Sequence, residues 1–255
     1  MLISNPFYLS ICTLACKLFS HIIAVLHYYN VRAGFLKIPL CIYNAPGGVY
    51  KNLRSIWFVR LFRRVISILV RTPLRTKTLR LVDFMSLATD TGCVFVTCHT
   101  PWARLLMEWC LENDFALIIA NIKSNQRAKS IKKTGKGFIE LRHLLMHLRS
   151  GGRIIIMVDV FNNLSNCSAK FLERDYNVSL FPARLAKIAD VPLMAVVPEL
   201  RNGTIHFYTG PRIDLKILNS DSCTVMQNLL AFFEKEIRQN PSIWFPFVRE
   251  SLSKN

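Results

Sequence analysis

The stretch that most restricts the fold runs Cys93-Val-Phe-Val-Thr-Cys-His99-Thr-Pro-Trp102-Ala-Arg104-Leu-Leu-Met-Glu108-Trp. An apolar, β-branched run of the kind that forms a buried strand (93–98) stops at a histidine. A helix is expected to start at once. Thr100 can cap it, and Pro101 suits the first turn, where its missing N–H costs nothing. Trp102, Leu105, Leu106 and Trp109 then recur at the i, i+3, i+4, i+7 spacing of a buried helical face, which predicts a helix over 101–112. A strand feeding directly into a helix commits the chain to an α/β connection. It also puts His99 at a strand's carboxyl end beside a helix start, where open α/β sheets build their sites. A neutral imidazole there is a candidate general base. The competing reading, of equal weight on these residues alone, is a strand-end histidine that only satisfies its hydrogen bonds.

The rest of the chain repeats the alternation. Strand 115–120 is followed by a long basic loop, helix 137–149 closed by Gly151-Gly152, and strand 153–159. A polar loop, a helix over 182–189 and a strand over 193–198 come next. Arg201-Asn-Gly-Thr204 marks a hairpin into strand 205–208, and a last helix covers 222–238. The order implies an α/β domain with a largely parallel central sheet flanked by helices on both faces. There is no internal repeat or low-complexity tract.

Charge is placed very unevenly. The chain carries a net +17 over 255 residues, and no Asp or Glu precedes Asp83. Twelve Lys and Arg fall in the first 82 residues, leaving only +5 for the remainder. Such a segment seeks a polyanion, either an anionic membrane surface or nucleic acid. Pro6–Tyr29 favours the membrane: 24 mostly apolar residues interrupted by Lys17 and His21 can span a bilayer or lie in its interface. No basic region precedes the stretch, which argues against a cleaved signal peptide. Basic residues on its C-terminal side place the bulk of the chain in the cytoplasm. The alternative is a core helix of a soluble fold. Residues 1–30 thus read as an anchor helix and 31–49 as a connector with turn chemistry at Ala45-Pro-Gly-Gly48. Residues 50–255 read as the α/β domain. A basic, aromatic helix over 52–70 suits a membrane interface or a half-buried position. The eight cysteines show no CxxC pair and no zinc spacing, and read as reduced thiols. Strand alternation sends Cys98 and His99 to opposite faces, which disfavours a Cys–His nucleophilic pair.

Few other residues point to chemistry. Lys123–Lys136 holds six basic residues and no acid. With Gly135 and Gly137 at a helix start, its backbone amides, Arg127 and Lys136 are suited to phosphate, although an exposed basic loop reads equally well. The spacing is not that of a P-loop. Asp159 ends an apolar strand, where a turn or cap role is commoner than a chemical one. His143 and His147 stand at i, i+4, but Leu144 occupies the position where a zincin has glutamate, so no metal is expected.

Taken in order, several blocks resemble one family. These are the strand ending in His99 before an aromatic-rich helix, the basic loop, Gly137-Phe-Ile-Glu-Leu-Arg…Leu-Arg-Ser-Gly-Gly-Arg153, and the strand ending in Asp159. Ser179-Leu-Phe-Pro-Ala-Arg184-Leu-Ala and Asn240-Pro-Ser-Ile-Trp244…Arg249 complete the set. The chain is similar over roughly residues 50–255 to the bacterial lipid A biosynthesis (lauroyl/myristoyl) acyltransferases of the lysophospholipid acyltransferase superfamily. The resemblance implies a glycerol-3-phosphate acyltransferase-like fold. It also implies transfer of an acyl chain from acyl carrier protein or coenzyme A, with no resident cofactor, to a hydroxyl of a membrane glycolipid or lysolipid. The family motif is His-x4-Asp/Glu, in which the histidine deprotonates the acceptor and the acid orients it. His99 matches the histidine, but Arg104 stands where the acid belongs. A guanidinium cannot accept the imidazole N–H, and it disfavours imidazolium. Glu108, one helical turn on, is positioned to pair with Arg104 or to act by relay.

The expected function is therefore a membrane-bound O-acyltransferase at the cytoplasmic face of a bacterial inner membrane. His99 is its base, and Arg104, Arg127, Lys136, Asp159 and Arg184 bind substrate. Expected partners are a membrane lipid acceptor, an anionic membrane surface and acyl carrier protein, not nucleic acid. Two alternatives remain: a non-catalytic relative that has lost the dyad, and a basic nucleic-acid-binding protein, although no recognised module supports the latter.

Overall fold

The apolar run after Gly92 becomes the middle of a six-stranded sheet. In the structure, a computed structural model, the described residues are 6–32, 45–69, 82–83, 91–102, 105–106, 115–118, 137–158, 167–201, 204–214 and 221–244. Two helices come first, α1 (Pro6–Arg32) and α2 (Gly48–Leu69). Strands β1 (Val82–Asp83), β2 (Cys93–Thr97) and β3 (Phe115–Ile118) lead to α3 (Gly137–Arg149) and β4 (Arg153–Met157). A hairpin of β5 (Ser168–Phe171) and β6 (Arg174–Asn177) precedes α4 (Phe181–Ala189). Strands β7 (Leu193–Arg201) and β8 (Thr204–Ile213), helix α5 (Ser222–Gln239) and a 3₁₀ turn at Pro241–Ile243 complete the described chain.

The sheet order is β1-β8-β7-β2-β4-β3. Four of its five pairings are parallel, and β7–β8 is the antiparallel hairpin announced by Asn202-Gly203. Every side chain of β2 is buried, as a central strand covered on both faces requires. Helix α3 packs on β4, α4 on β2 and β7, and α5 on β7. Gly92 permits the close start of β2, since a Cβ there would stand 2.0 Å from the Leu148 carbonyl oxygen. Gly151, at φ 89°, ends α3 in the left-handed conformation that glycine adopts without cost.

The structure corrects or narrows the sequence reading in four places. First, the segment taken as a polar loop after residue 159 contains the β5–β6 hairpin, turning at Leu172 and Glu173 with φ of 50° and 70°. Second, of the two positions open to α2, a membrane interface or a half-buried one, the structure shows the half-buried one. Leu53, Ile56, Trp57, Val59, Phe62 and Ile66 are all in the core. Third, Cys167 and Cys223 form a disulfide, Cα–Cα 5.6 Å, so the eight cysteines are not all reduced. Fourth, α1 runs to Arg32 and α2 starts at Gly48, which shortens the connector at both ends.

The hairpin is held against α5 along its length. The disulfide joins the residue before β5 to the first turn of α5, and Gln227 Nε2 donates to the Ser168 carbonyl at 2.8 Å. At the hairpin's tip the Leu172 N–H donates to Glu234 Oε2 at 3.0 Å. Helix α1 turns a seam of small and polar residues, Cys16, Ser20, Ala24 and His27, toward α2. Its other side is an exposed apolar stripe of Ile11, Leu14, Leu18, Ile22, Leu26 and Tyr29, with Leu14 68% exposed.

Candidate active site

His99 occupies the place its sequence predicts. It lies two residues beyond the end of β2, half-buried, between the buried Cys98 and Thr100. The helix-start chemistry is also present. The Trp102 N–H donates to Thr100 Oγ1 at 3.2 Å, and the Leu106 N–H donates to the Trp102 carbonyl at 3.1 Å. Trp102, 2% exposed, anchors this turn in the core. Its ring meets Phe62 of α2 edge-on at 6.0 Å, and Phe62 in turn stacks on Phe58. Helix α2 therefore buttresses the segment that carries His99.

Strand β4 runs beside β2 to the same edge. Thr97 pairs with Met157, and the Val158 N–H donates to the Thr97 carbonyl at 2.9 Å. Asp159 follows Met157 by the same two residues as His99 follows Thr97. Asp159 itself lies outside the described residues, as do Arg104, Glu108, Arg127 and Lys136. Arg184 is described. It stands exposed on α4, an element packed against β2.

Cys93, at the opposite, amino end of β2, is ill-suited to attack. Burial pushes the Cys93 thiol up to about 12, against smaller opposing effects of Arg212 and Arg153. It donates to the Pro192 carbonyl at 3.5 Å. A thiol held protonated is not a nucleophile. His147 Nε2 donates to the Arg153 carbonyl at 3.3 Å while His143 is exposed, and among the described residues no group of three His, Cys, Asp or Glu side chains could hold a metal.

A family model described as "Bacterial lipid A biosynthesis acyltransferase" matches residues 114–251, more than half of the chain. The chain belongs to that family. It is an acyltransferase built on an α/β fold. The match takes in the basic loop, α3 and everything through Trp244, and it begins after His99, Arg104 and Glu108. Among solved structures, the chain is similar to the 1-acyl-sn-glycerophosphate (LPA) acyltransferase PlsC from Thermotoga maritima. That likeness covers 87% of this chain and 98% of that one, at 12% identity and a TM-score of 0.38. No curated protein matches.

The sequence reading gave no site to the arginines of α2. Arg60 and Arg63 are half-buried on a helix whose core residues touch the His99 segment. The signal was present: arginines interleaved with core aromatics, in a region without one carboxylate.

Proposed function

We propose that this acyltransferase is membrane-bound and moves a fatty acyl chain from a thioester donor to a hydroxyl of a glycolipid or lysolipid, with His99 as general base. The donor would be acyl carrier protein or coenzyme A. The observation that carries this reading is the place of His99, half-buried at the carboxyl edge of β2 and followed at once by the Thr100-capped turn. A neutral imidazole there takes the acceptor's hydroxyl proton as its oxygen bonds to the thioester carbonyl carbon. The resulting oxyanion collapses, the C–S bond breaks, and the leaving thiolate receives that proton from the imidazolium. Arg127 and Lys136 are proposed to hold substrate phosphate, and Arg104, Asp159 and Arg184 to contact the acceptor or donor.

Membrane attachment is supported by α1, whose 27 residues extend roughly 40 Å and whose outer side is apolar along its length. Helix α1 also contains the one candidate membrane span among the described residues, Ser10–Tyr29. Cytoplasmic orientation rests on the basic residues after α1. The cysteines no longer add to it, because a disulfide such as Cys167–Cys223 persists chiefly in oxidising compartments.

The deciding experiment is acyl transfer by purified full-length protein in detergent, with acyl carrier protein or coenzyme A thioesters and a lysolipid or lipid A-type acceptor. Wild type transfers, and His99→Ala loses about 10²–10⁴-fold while keeping its thermal midpoint. Near-wild-type turnover in that variant reassigns His99 to structure. Arg104 at the acid's position favours a second reading, a lipid-binding relative without catalysis. Wild-type protein that binds lipid but transfers from neither donor would establish it.

A further inference from the structure

A guanidinium withdrawn from water needs an anion beside it, because its desolvation is otherwise uncompensated. Arg60 is such a group. It is half-buried, and its Nη1 is buried with no hydrogen-bond partner. Its Cζ lies 5.0 Å from the Trp57 ring centroid, so an aromatic face supports it on one side. Arg63 and Arg64 follow at i+3 and i+4, the two positions that share a helix face with Arg60. Burial, then the charges of Arg64 and Arg63, hold the Arg60 guanidinium below its ordinary range, and no carboxylate raises it. Burial and Arg64 act in the same direction on Arg63. Three like charges within two turns repel one another, and α2 carries no acidic residue.

We propose that Arg60, Arg63 and Arg64 form a seat for a phosphate group, and that its occupant is the headgroup phosphate of an anionic lipid. Guanidinium forks suit phosphate oxygens, which accept parallel N–H bonds from one or more arginines. One contact points to a lipid. Trp57, whose ring lies under Arg60, also donates its indole N–H to His27 of α1 at 3.1 Å, so the seat adjoins the helix that carries the apolar stripe. A lipid held here has its phosphate fixed by α2, beside the helix that carries the apolar stripe. The choice of a lipid rests on the proposed membrane reading, whereas the seat stands on the geometry of α2.

The test is ligand-dependent thermal stabilisation of the full-length protein in detergent. The probes are dihexanoyl phosphatidic acid, dihexanoyl phosphatidylcholine and inorganic phosphate, each titrated at low and high salt. A ligand of the folded form raises the midpoint in proportion to its affinity. Phosphatidic acid is expected to bind saturably and to weaken with salt, and phosphatidylcholine to bind at least tenfold more weakly. Arg60→Gln should lower phosphatidic acid affinity at least tenfold, while Lys187→Gln, at an exposed position of α4, leaves it unchanged. Without ligand, Arg60→Gln should melt at or above the wild-type temperature, because it removes an uncompensated charge. A purely structural arginine would instead lower it. Arg64→Gln, at an exposed position, repeats the test should Arg60→Gln fail to fold. Equal binding by wild type and both variants overturns the seat. Equal affinity for inorganic phosphate and phosphatidic acid overturns the lipid and leaves a site for free phosphate. His99→Ala should bind phosphatidic acid like wild type, so loss of acyl transfer and loss of the seat are separate results.

Discussion

The indole N–H of Trp57 donates to Nδ1 of His27 across the α1–α2 seam, both side chains being buried. Nδ1 therefore carries the lone pair, and the proton of the neutral ring sits on Nε2. Trp57→Phe keeps the aromatic packing, centroids 6.2 Å apart, but leaves Nδ1 unpartnered. The expected cost is about 1–3 kcal/mol, read as a lower thermal or denaturant midpoint in detergent. Combined with His27→Leu, the loss should be smaller than the sum of the two, because the second change removes the stranded acceptor.

Arg104→Glu tests the departure from His-x4-Asp/Glu. If Arg104 serves an anionic acceptor group, the change weakens acceptor binding and raises KM through repulsion, with no gain in kcat. That is the expected outcome. A rise in transfer to a lipid A-type acceptor would show that the variant has rebuilt a dyad. Arg104→Ala separates the effects, since a rise there would mean that the guanidinium only suppresses His99.

Glu234 holds the tip of the β5–β6 hairpin. One carboxylate oxygen accepts from the Leu172 N–H, and the other from Arg238 at 2.9 and 2.6 Å. Glu173 meets Arg238 at 3.4 Å and is half exposed. Glu234→Ala should cost about 1.5–3 kcal/mol, whereas Glu173→Ala should cost under about 1 kcal/mol. Urea unfolding of the two variants checks the ranking.

Cys93 should make the fold sensitive to alkali. Its folded thiol titrates at about 12, against an ordinary value of 9.0. Between these values the unfolded chain releases the proton and the folded chain retains it, so stability is full below pH 9 and falls as pH rises. The slope from this one group approaches about 1.4 kcal/mol per pH unit. Cys93→Ala should lose stability at neutral pH, through the small cavity, yet fall less steeply between pH 9 and 11. Identical slopes would mean that Cys93 does not titrate this way.

Legibility in the sequence followed the strength of local signals. The strand before His99 was readable because Val94, Phe95 and Val96 are apolar and Thr100-Pro101 is a helix start. The β7–β8 hairpin was readable because Asn-Gly is the residue pair that a tight two-residue turn favours. The β5–β6 hairpin was not. Its strand alternates correctly, with Ser168 and Lys170 exposed and Ala169 and Phe171 buried, but Leu172-Glu173 is not a turn sequence. Glu234 and Arg238, more than sixty residues away, hold that turn instead. The Cys167–Cys223 pair was hidden for a similar reason, since a separation of 56 residues carries no spacing motif. In the site, His99 was visible because a strand ends there. Arg60 was not, because a basic residue on a helix is ordinarily solvated, and only the burial of its Nη1 in the folded chain shows that it is not.

The Cys167–Cys223 bond makes residues 167–223 a closed covalent ring. Both hairpins, α4 and β7, the immediate neighbour of β2, lie inside it. A protease that cuts this ring once, anywhere from 168 to 222, leaves two fragments that still travel as a single piece until a reductant parts them. Scission outside the ring has no such safeguard. Strands β7 and β8 are thus insured against a single break, while α1, α2 and the neighbouring strands of the sheet, β2 and β4, are not.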